Sequence, residues 1–359
     1  MHVSELVEQK ILQSPEQRIS FASYMDTCLY APGVGYYTSN RIKIGKEGDF
    51  YTSSNIGSLM GEMLAQSIIR MFDERASREQ SLLLIEWGGG TGRLAAQVLD
   101  EIKATNESLY AKTSYYSAEK SPYHEAIQAD QLINHSTRIV SDLGQIDEGA
   151  YVVGWANELF DAFPCRRFRR GVHTLEEMYV GWDSNSPYPI WVEVDQACAM
   201  TYASIWQSLQ PYQQFERIVG LEEWFNHLQE LDVVDSLIII DYGAEFEDLV
   251  APHRMNGTFI CYHNHQAADE PFLYLGEQDM TAHVDFTQVR QFAYASGFKN
   301  VEVISQKQFL LEAGLMARIQ SHAGLDPFHP IVKRNRAIRQ LLLSDQMSEL
   351  FKVCIAHKY

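Results

Sequence analysis

The stretch best equipped for chemistry is Ile85-Glu86-Trp87-Gly88-Gly89-Gly90-Thr91-Gly92-Arg93-Leu94. An apolar run ends in an acid, passes through glycines at 88, 90 and 92, and resumes as a helical pattern. Glycine permits a left-handed backbone and lets a ligand approach the main chain closely. A dinucleotide fingerprint would want glycine or alanine where Arg93 stands, and a phosphate loop would want a Gly-Lys-Ser/Thr that is missing. Glu86, just before the turn, also opposes a bound pyrophosphate. The turn suits a nucleoside that carries an amino-acid tail, such as S-adenosylmethionine (SAM). The plain alternative is a tight strand–helix turn with no ligand.

Further acids follow at matching places. Glu119 ends the next apolar run, where an acid can accept both ribose hydroxyls of a nucleoside. Asp142 ends the run after that and is a candidate for the adenine amino group. Asn157-Glu158-Leu159-Phe160-Asp161 follows the fourth run and places two acids and an amide in one short segment. In a methyl-transferring fold this is where an acceptor would meet the methyl group. A sulfonium methyl needs a lone pair aimed in line with the C–S bond, and positioning supplies much of the rate. Paired carboxylates, here Glu158 and Asp161, suit a guanidinium acceptor and favour proton loss as its nitrogen is alkylated. A helix cap by Asn157 with surface acids after it is the competing structural reading. Asp241-Tyr242-Gly243 and the polar segment Asp279–Thr287, with His283, are weaker candidates. His263 and His265 alternate as strand ligands do, but no third ligand stands near them, so no metal is expected. Arg166-Arg167-Phe168-Arg169-Arg170 reads as a solvated strand edge or as a contact for an acidic partner.

These groups need elements to hold them. Strand candidates are Leu82–Trp87, Ser114–Glu119, Thr137–Asp142, Tyr151–Trp155 and Ser236–Asp241, with helices at Arg93–Ile102 and Tyr123–Gln131 between the first three. Unbroken apolar strands alternating with helices predict a parallel sheet covered on both faces, with ligands at its carboxyl ends. Helical patterning runs through Ile11–Leu29 and Ile56–Met71. The alternation breaks over 165–231, which reads as an inserted α+β subdomain. The expected division is an N-terminal helical and cofactor-lid region over 1–80, a core over 81–164 and 232–315, the insertion, and a C-terminal tail region over 316–359.

The 359-residue chain is 46% hydrophobic and 21% charged, which excludes a disordered chain, a coiled coil or a collagen-like fibre. A formal net charge of −18 disfavours nucleic acid as a partner. No apolar run approaches the roughly 18–20 residues of a membrane span, and the N-terminus lacks targeting character. Five scattered cysteines form no C-x-x-C pair, which fits a reducing compartment. A soluble cytoplasmic protein is expected.

One ordered set of motifs stands out. Gly48-Asp49-Phe50 with Thr52-Ser53 is followed by Glu86-x-Gly-x-Gly-x-Gly92, then by Asn157-Glu158-x-x-Asp161-Ala162 and Asp241-Tyr242-Gly243. Gly257-Thr258 with Tyr262 and His265 comes next, and Asp279-x-Thr-Ala-His-Val-Asp-Phe-Thr287 closes the set. This resembles the MidA-like SAM-dependent methyltransferases over about residues 19 to 315. The resemblance implies a class I, Rossmann-like α/β doubly wound sheet with SAM as methyl donor. It places Glu86, Gly88, Gly90 and Gly92 at the methionine end, Glu119 at the ribose, Asp49 over the cofactor, and Asn157 and Glu158 beside the methyl group. It implies a protein substrate, with arginine as the methylated side chain; a homodimer is left open. Gly89 departs from the family, which often has proline there. A partner-binding assembly factor without catalysis is the alternative reading, and Arg93 argues against a nicotinamide or flavin enzyme.

Overall fold

The computed structural model describes residues 2–39, 58–77, 79–140, 149–322, 324, 326–343 and 350–359. Two compact units divide the chain: one gathers 1–51, 160–223 and 243–287, and the other gathers 52–159, 224–242 and 288–359.

The second unit is built on a sheet. Across it the strands run Thr137–Val140, Thr113–Ala118, Leu82–Trp87, Tyr151–Asn157, Ser236–Ala244, Phe351–His357 and Asn300–Ser305. The first five are parallel neighbours, and Phe351–His357 runs antiparallel to the strands on either side of it. Every residue of Leu82–Trp87 is buried, as expected for a central strand of a sheet covered on both faces. From Leu82–Trp87 the chain first lays strands to one side and then returns to lay Tyr151–Asn157 on the other. That reversal puts a crevice at the carboxyl ends of these two strands. Register brings the ends level, with Glu86 opposite Ser117 and Trp155, and Asn157 opposite Ile240.

Helices Leu59–Arg75 and Arg93–Thr105 cover the sheet with one apolar cluster that includes Met63, Ile68, Leu84, Val98, Ile102, Tyr115 and Trp155. The two helices meet at Gly61, where a Cβ would lie 2.3 Å from Gln97 Cβ. The C-terminal segment joins this core: Phe351 and Val353 are fully buried, and helix Pro330–Leu343 carries Arg334 onto Glu62 at 2.5 and 2.9 Å.

The first unit holds a five-stranded antiparallel sheet made of Ile19–Ser20, Cys165–Arg170, Leu175–Asp183, Ser186–Glu193 and Gln214–Ile218. A smaller sheet contains Ile260–His263, Gln266–Ala268 and Asp279–Thr281. The patterning over Ile11–Leu29 resolves into two helices, Val3–Gln13 and Phe21–Tyr30. Pro15 and a left-handed Gln17 (φ 50°) separate them, and Ser20 caps the second by accepting from the Ser23 N–H at 3.2 Å. Ile19 and Ser20 pair with Val180 and Tyr179, so the N-terminal segment and the strands over 165–193 share one sheet and one core.

The basic run is neither a solvated edge nor a free surface. Arg166 is bidentate to Glu177 at 2.7 and 2.6 Å, and Arg169 meets Glu176 at 2.5 Å. Arg170 donates to the carbonyls of Gln207 and Leu209. Arg167 is 2% exposed, pairs with Glu216 and Asp269, and lies 4.6 Å from the centre of the Phe259 ring.

Candidate cofactor and methyl-transfer site

The glycine turn follows Leu82–Trp87 and leads into helix Arg93–Thr105. Gly88, Gly90 and Gly92 all adopt left-handed φ values, 70°, 53° and 74°. A Cβ at Gly88 would lie 2.7 Å from Leu159 Cδ1, and one at Gly92 would lie 3.1 Å from Gln128 Cγ. Two buried side chains grip the Gly90 peptide. Its N–H donates to Glu119 Oε2 at 3.1 Å, and its carbonyl accepts from Gln128 Nε2 at 3.0 Å. Gly89 is also crowded, since a Cβ there would sit 2.9 Å from Glu86 Oε2. A side chain at position 89 would therefore have little room.

Glu86 is 2% exposed and lies beneath the turn. It accepts from the Tyr115 hydroxyl at 2.5 Å and from Trp155 Nε1 at 3.0 Å. Burial pushes its pKa up to about 7, the nearby Glu119 adds to the rise, and the two hydrogen bonds oppose it. Glu119 accepts from the backbone N–H groups of Lys120 and Ser121 at 2.9 and 2.8 Å as well as from Gly90. Burial raises its pKa against these donors.

Asn157 and Glu158 end the neighbouring strand. Glu158 is left-handed (φ 50°), unusual for a residue with a side chain. Its N–H donates to the Ile240 carbonyl at 2.8 Å, and Asn157 Nδ2 donates to Glu158 Oε1 at 3.2 Å. Fully buried Asp241 braces the bend by accepting from the Leu159 N–H at 3.1 Å and the Tyr242 N–H at 2.8 Å. The second unit therefore brings Glu86, Gly88, Gly90, Gly92, Glu119, Asn157 and Glu158 to one end of its sheet.

Asp161 belongs to the first unit. It is 7% exposed, its carbonyl accepts from the Ala282 N–H at 2.9 Å, and its charge helps raise the pKa of Tyr262 and Tyr37 after burial. Tyr37 donates to Asp279 Oδ1 at 2.8 Å in the same unit. Burial, with Arg254 adding to it, lowers His283 to about 4, so His283 is neutral at pH 7. Asp49 and Asp142 lie outside the described residues. Sequence reasoning missed Gln128, Tyr115 and Trp155. They come from separate strands and a helix, and only the register and the fold bring them beneath one turn.

The second unit's residues fit SAM. The left-handed glycines form a cradle that side chains would fill. Asn157 Oδ1 and Gln128 Oε1 are buried and take no hydrogen bond among the described residues, leaving acceptors beside the turn. Glu119 is an acceptor at the second strand end, where a ribose presents hydroxyl donors.

Comparisons with known proteins agree. A family model described as "Putative S-adenosyl-L-methionine-dependent methyltransferase" matches residues 63–304, more than half of the chain. A zebrafish relative, "Protein arginine methyltransferase NDUFAF7, mitochondrial", is 26% identical over 84% of this chain and 74% of its own length. The Drosophila melanogaster homolog is 28% identical over 93% of this chain and 80% of its own. A Burkholderia thailandensis crystal structure with S-adenosyl-homocysteine bound is 25% identical, with a TM-score of 0.86 over 99% of this chain and 91% of that one. The cradle, the acid at the second strand end and these matches converge: the chain belongs to the MidA-like family of SAM-dependent methyltransferases, with the class I methyltransferase fold and SAM as its cofactor.

Proposed function

We propose that this chain transfers the methyl group of SAM to an arginine side chain of a protein substrate. The observation that carries the acceptor is the match to relatives named as protein arginine methyltransferases, which spans 84% of this chain in the zebrafish case. When bound, SAM supplies an electrophilic methyl on a sulfonium. The chain's part is to hold a guanidinium nitrogen in line and to favour loss of its proton. Glu158 is assigned that role. Its left-handed backbone is fixed by Ile240 and Asp241, so its carboxylate is positioned before substrate arrives. Asp161 is proposed as a second acid for the acceptor, Asn157 and Glu119 as cofactor ligands, and Asp49 and Asp142 as further contacts to the cofactor. Free cysteines at all five positions suit the reducing cytoplasm as the place of work.

The test is transfer of isotopically labelled methyl from SAM to a cell extract, followed by mass spectrometry of the labelled residue. Labelled arginine is expected from the wild-type protein. Glu158→Gln should lower the rate by about 10²–10⁴-fold while binding of S-adenosylhomocysteine stays within a few-fold. Label on another residue type, or undiminished transfer by Glu158→Gln, would overturn the reading. Asp161→Asn asks the same of the second acid.

A further inference from the structure

The first unit carries a groove of about 390 Å³ that the methyl-transfer chemistry does not use. Trp191, Phe272 and Leu273 line it together with Asp269, Glu270 and Arg167. Its charge is one-sided. Arg167, the only cation among the described lining residues, is 2% exposed and already paired with Glu216 and Asp269. Arg169, which stacks 4.3 Å from the Trp191 ring, is likewise paired, with Glu176. Arg167 is shared by two acids, Glu216 and Asp269, and Glu270 stands exposed beside them, so three acids face one cation here and the balance is acidic.

The loop that presents these side chains is held rigidly by its backbone. Buried Gln278 donates from Nε2 toward the carbonyls of Glu270, Pro271 and Leu273 at 3.0, 3.2 and 2.8 Å. The fully buried Tyr24 hydroxyl donates to the Pro271 carbonyl at 2.6 Å. Next to it Leu273 and Tyr274 stand 46% and 51% exposed, and the Tyr274 ring stacks on His263 at 4.1 Å. A surface that keeps acids and large apolar side chains exposed on a pinned backbone loses little entropy when something binds it. Carboxylates beside aromatic rings recognise guanidinium groups through charge-assisted hydrogen bonds and cation–π contact.

We infer that this groove docks a basic, arginine-bearing segment of the protein substrate. The inference rests on the arginine reading for the word substrate; the groove's preference for a basic segment stands on its own geometry.

The test measures fluorescence anisotropy of a short labelled peptide that alternates arginine with glycine, with no SAM present. Its counterpart carries glutamate in place of each arginine. The arginine peptide should bind, more weakly as salt is raised, and the glutamate peptide should not. Glu270→Lys should weaken binding about tenfold or more, and Leu273→Ala a few-fold, with thermal midpoints near wild type because both side chains are exposed. Equal binding of the two peptides, or wild-type affinity in Glu270→Lys, would overturn the groove. The two readings fail separately. Groove-dependent binding with no arginine methylation in the extract assay supports the groove and sinks the arginine reading. Arginine methylation that Glu270→Lys and wild type perform equally, with equal peptide affinity, sinks the groove alone.

Discussion

The acids at the carboxyl end of the second unit's sheet and the arginine pairs of the first unit handle buried charge differently. In the second unit, acids gathered at the carboxyl end of the sheet accept from neutral donors. Glu86 leans on a phenol and an indole, Glu119 on three backbone N–H groups, and Asp241 on two. Acids satisfied this way keep a site polar while leaving it open to the donors of a ligand. In the first unit several buried charges are matched ion to ion, Arg167 to Glu216 and Asp269, and Arg217 to Asp285 at 2.5 Å, while buried Asp279 accepts from the Tyr37 hydroxyl and the Met280 N–H. Such ion pairs hold a small sheet together.

The contrast can be broken first at Arg167. Arg167→Ala leaves Glu216 buried without its cation, and chemical denaturation should show a loss of about 3–5 kcal/mol. A loss below about 1 kcal/mol would mean that the pair is not structural. Gly88→Val comes next. Its left-handed backbone alone costs roughly 1–2 kcal/mol, Leu159 is in the way, and calorimetry should find S-adenosylhomocysteine binding gone while far-ultraviolet circular dichroism keeps its shape. Gln128→Leu removes one hand from the Gly90 peptide, and a roughly tenfold weaker affinity for S-adenosylhomocysteine is expected, equivalent to about 1.4 kcal/mol; unchanged affinity would reduce Gln128 to packing.

Glu86→Gln gives the subtlest signal. The folded pKa of Glu86 is raised to about 7 from an ordinary value near 4.5, so the folded protein binds the proton more tightly than the unfolded chain. Its contribution to stability therefore falls as pH rises from about 4.5 to about 7. His283 and His357, both lowered to about 4, act in the opposite direction, losing stability as pH falls from 6.5 toward 4. The difference between wild type and Glu86→Gln isolates the carboxyl: the variant should gain relative stability at pH 8 and lose that gain by pH 5. A difference independent of pH would contradict the assignment.

What the sequence disclosed follows the same division. Leu82–Trp87, the glycine turn and the acid at the end of each parallel strand are local signals, because a buried strand is an apolar run and a left-handed turn needs glycine. The glycine turn and the acids Glu86 and Glu119, which the structure brings to one end of the sheet, could be picked out for that reason. Gln128 could not, since nothing in its spacing shows that its helix lies against Gly92. Phe351–His357 escaped too: it lies far from its sheet neighbours in the chain, and Lys352 and His357 interrupt its apolar character. The arginine run misled for a related reason. Four arginines in five residues look like surface, and their acids arrive from strands and loops that only antiparallel pairing brings alongside.

The most direct test of the cofactor site is calorimetric titration of the wild-type protein and of Gly92→Val with S-adenosylhomocysteine and with NAD. Binding of S-adenosylhomocysteine to the wild type alone, with NAD bound by neither, is the predicted result. Equal binding of S-adenosylhomocysteine to both proteins would show that the glycine turn is not where the cofactor sits.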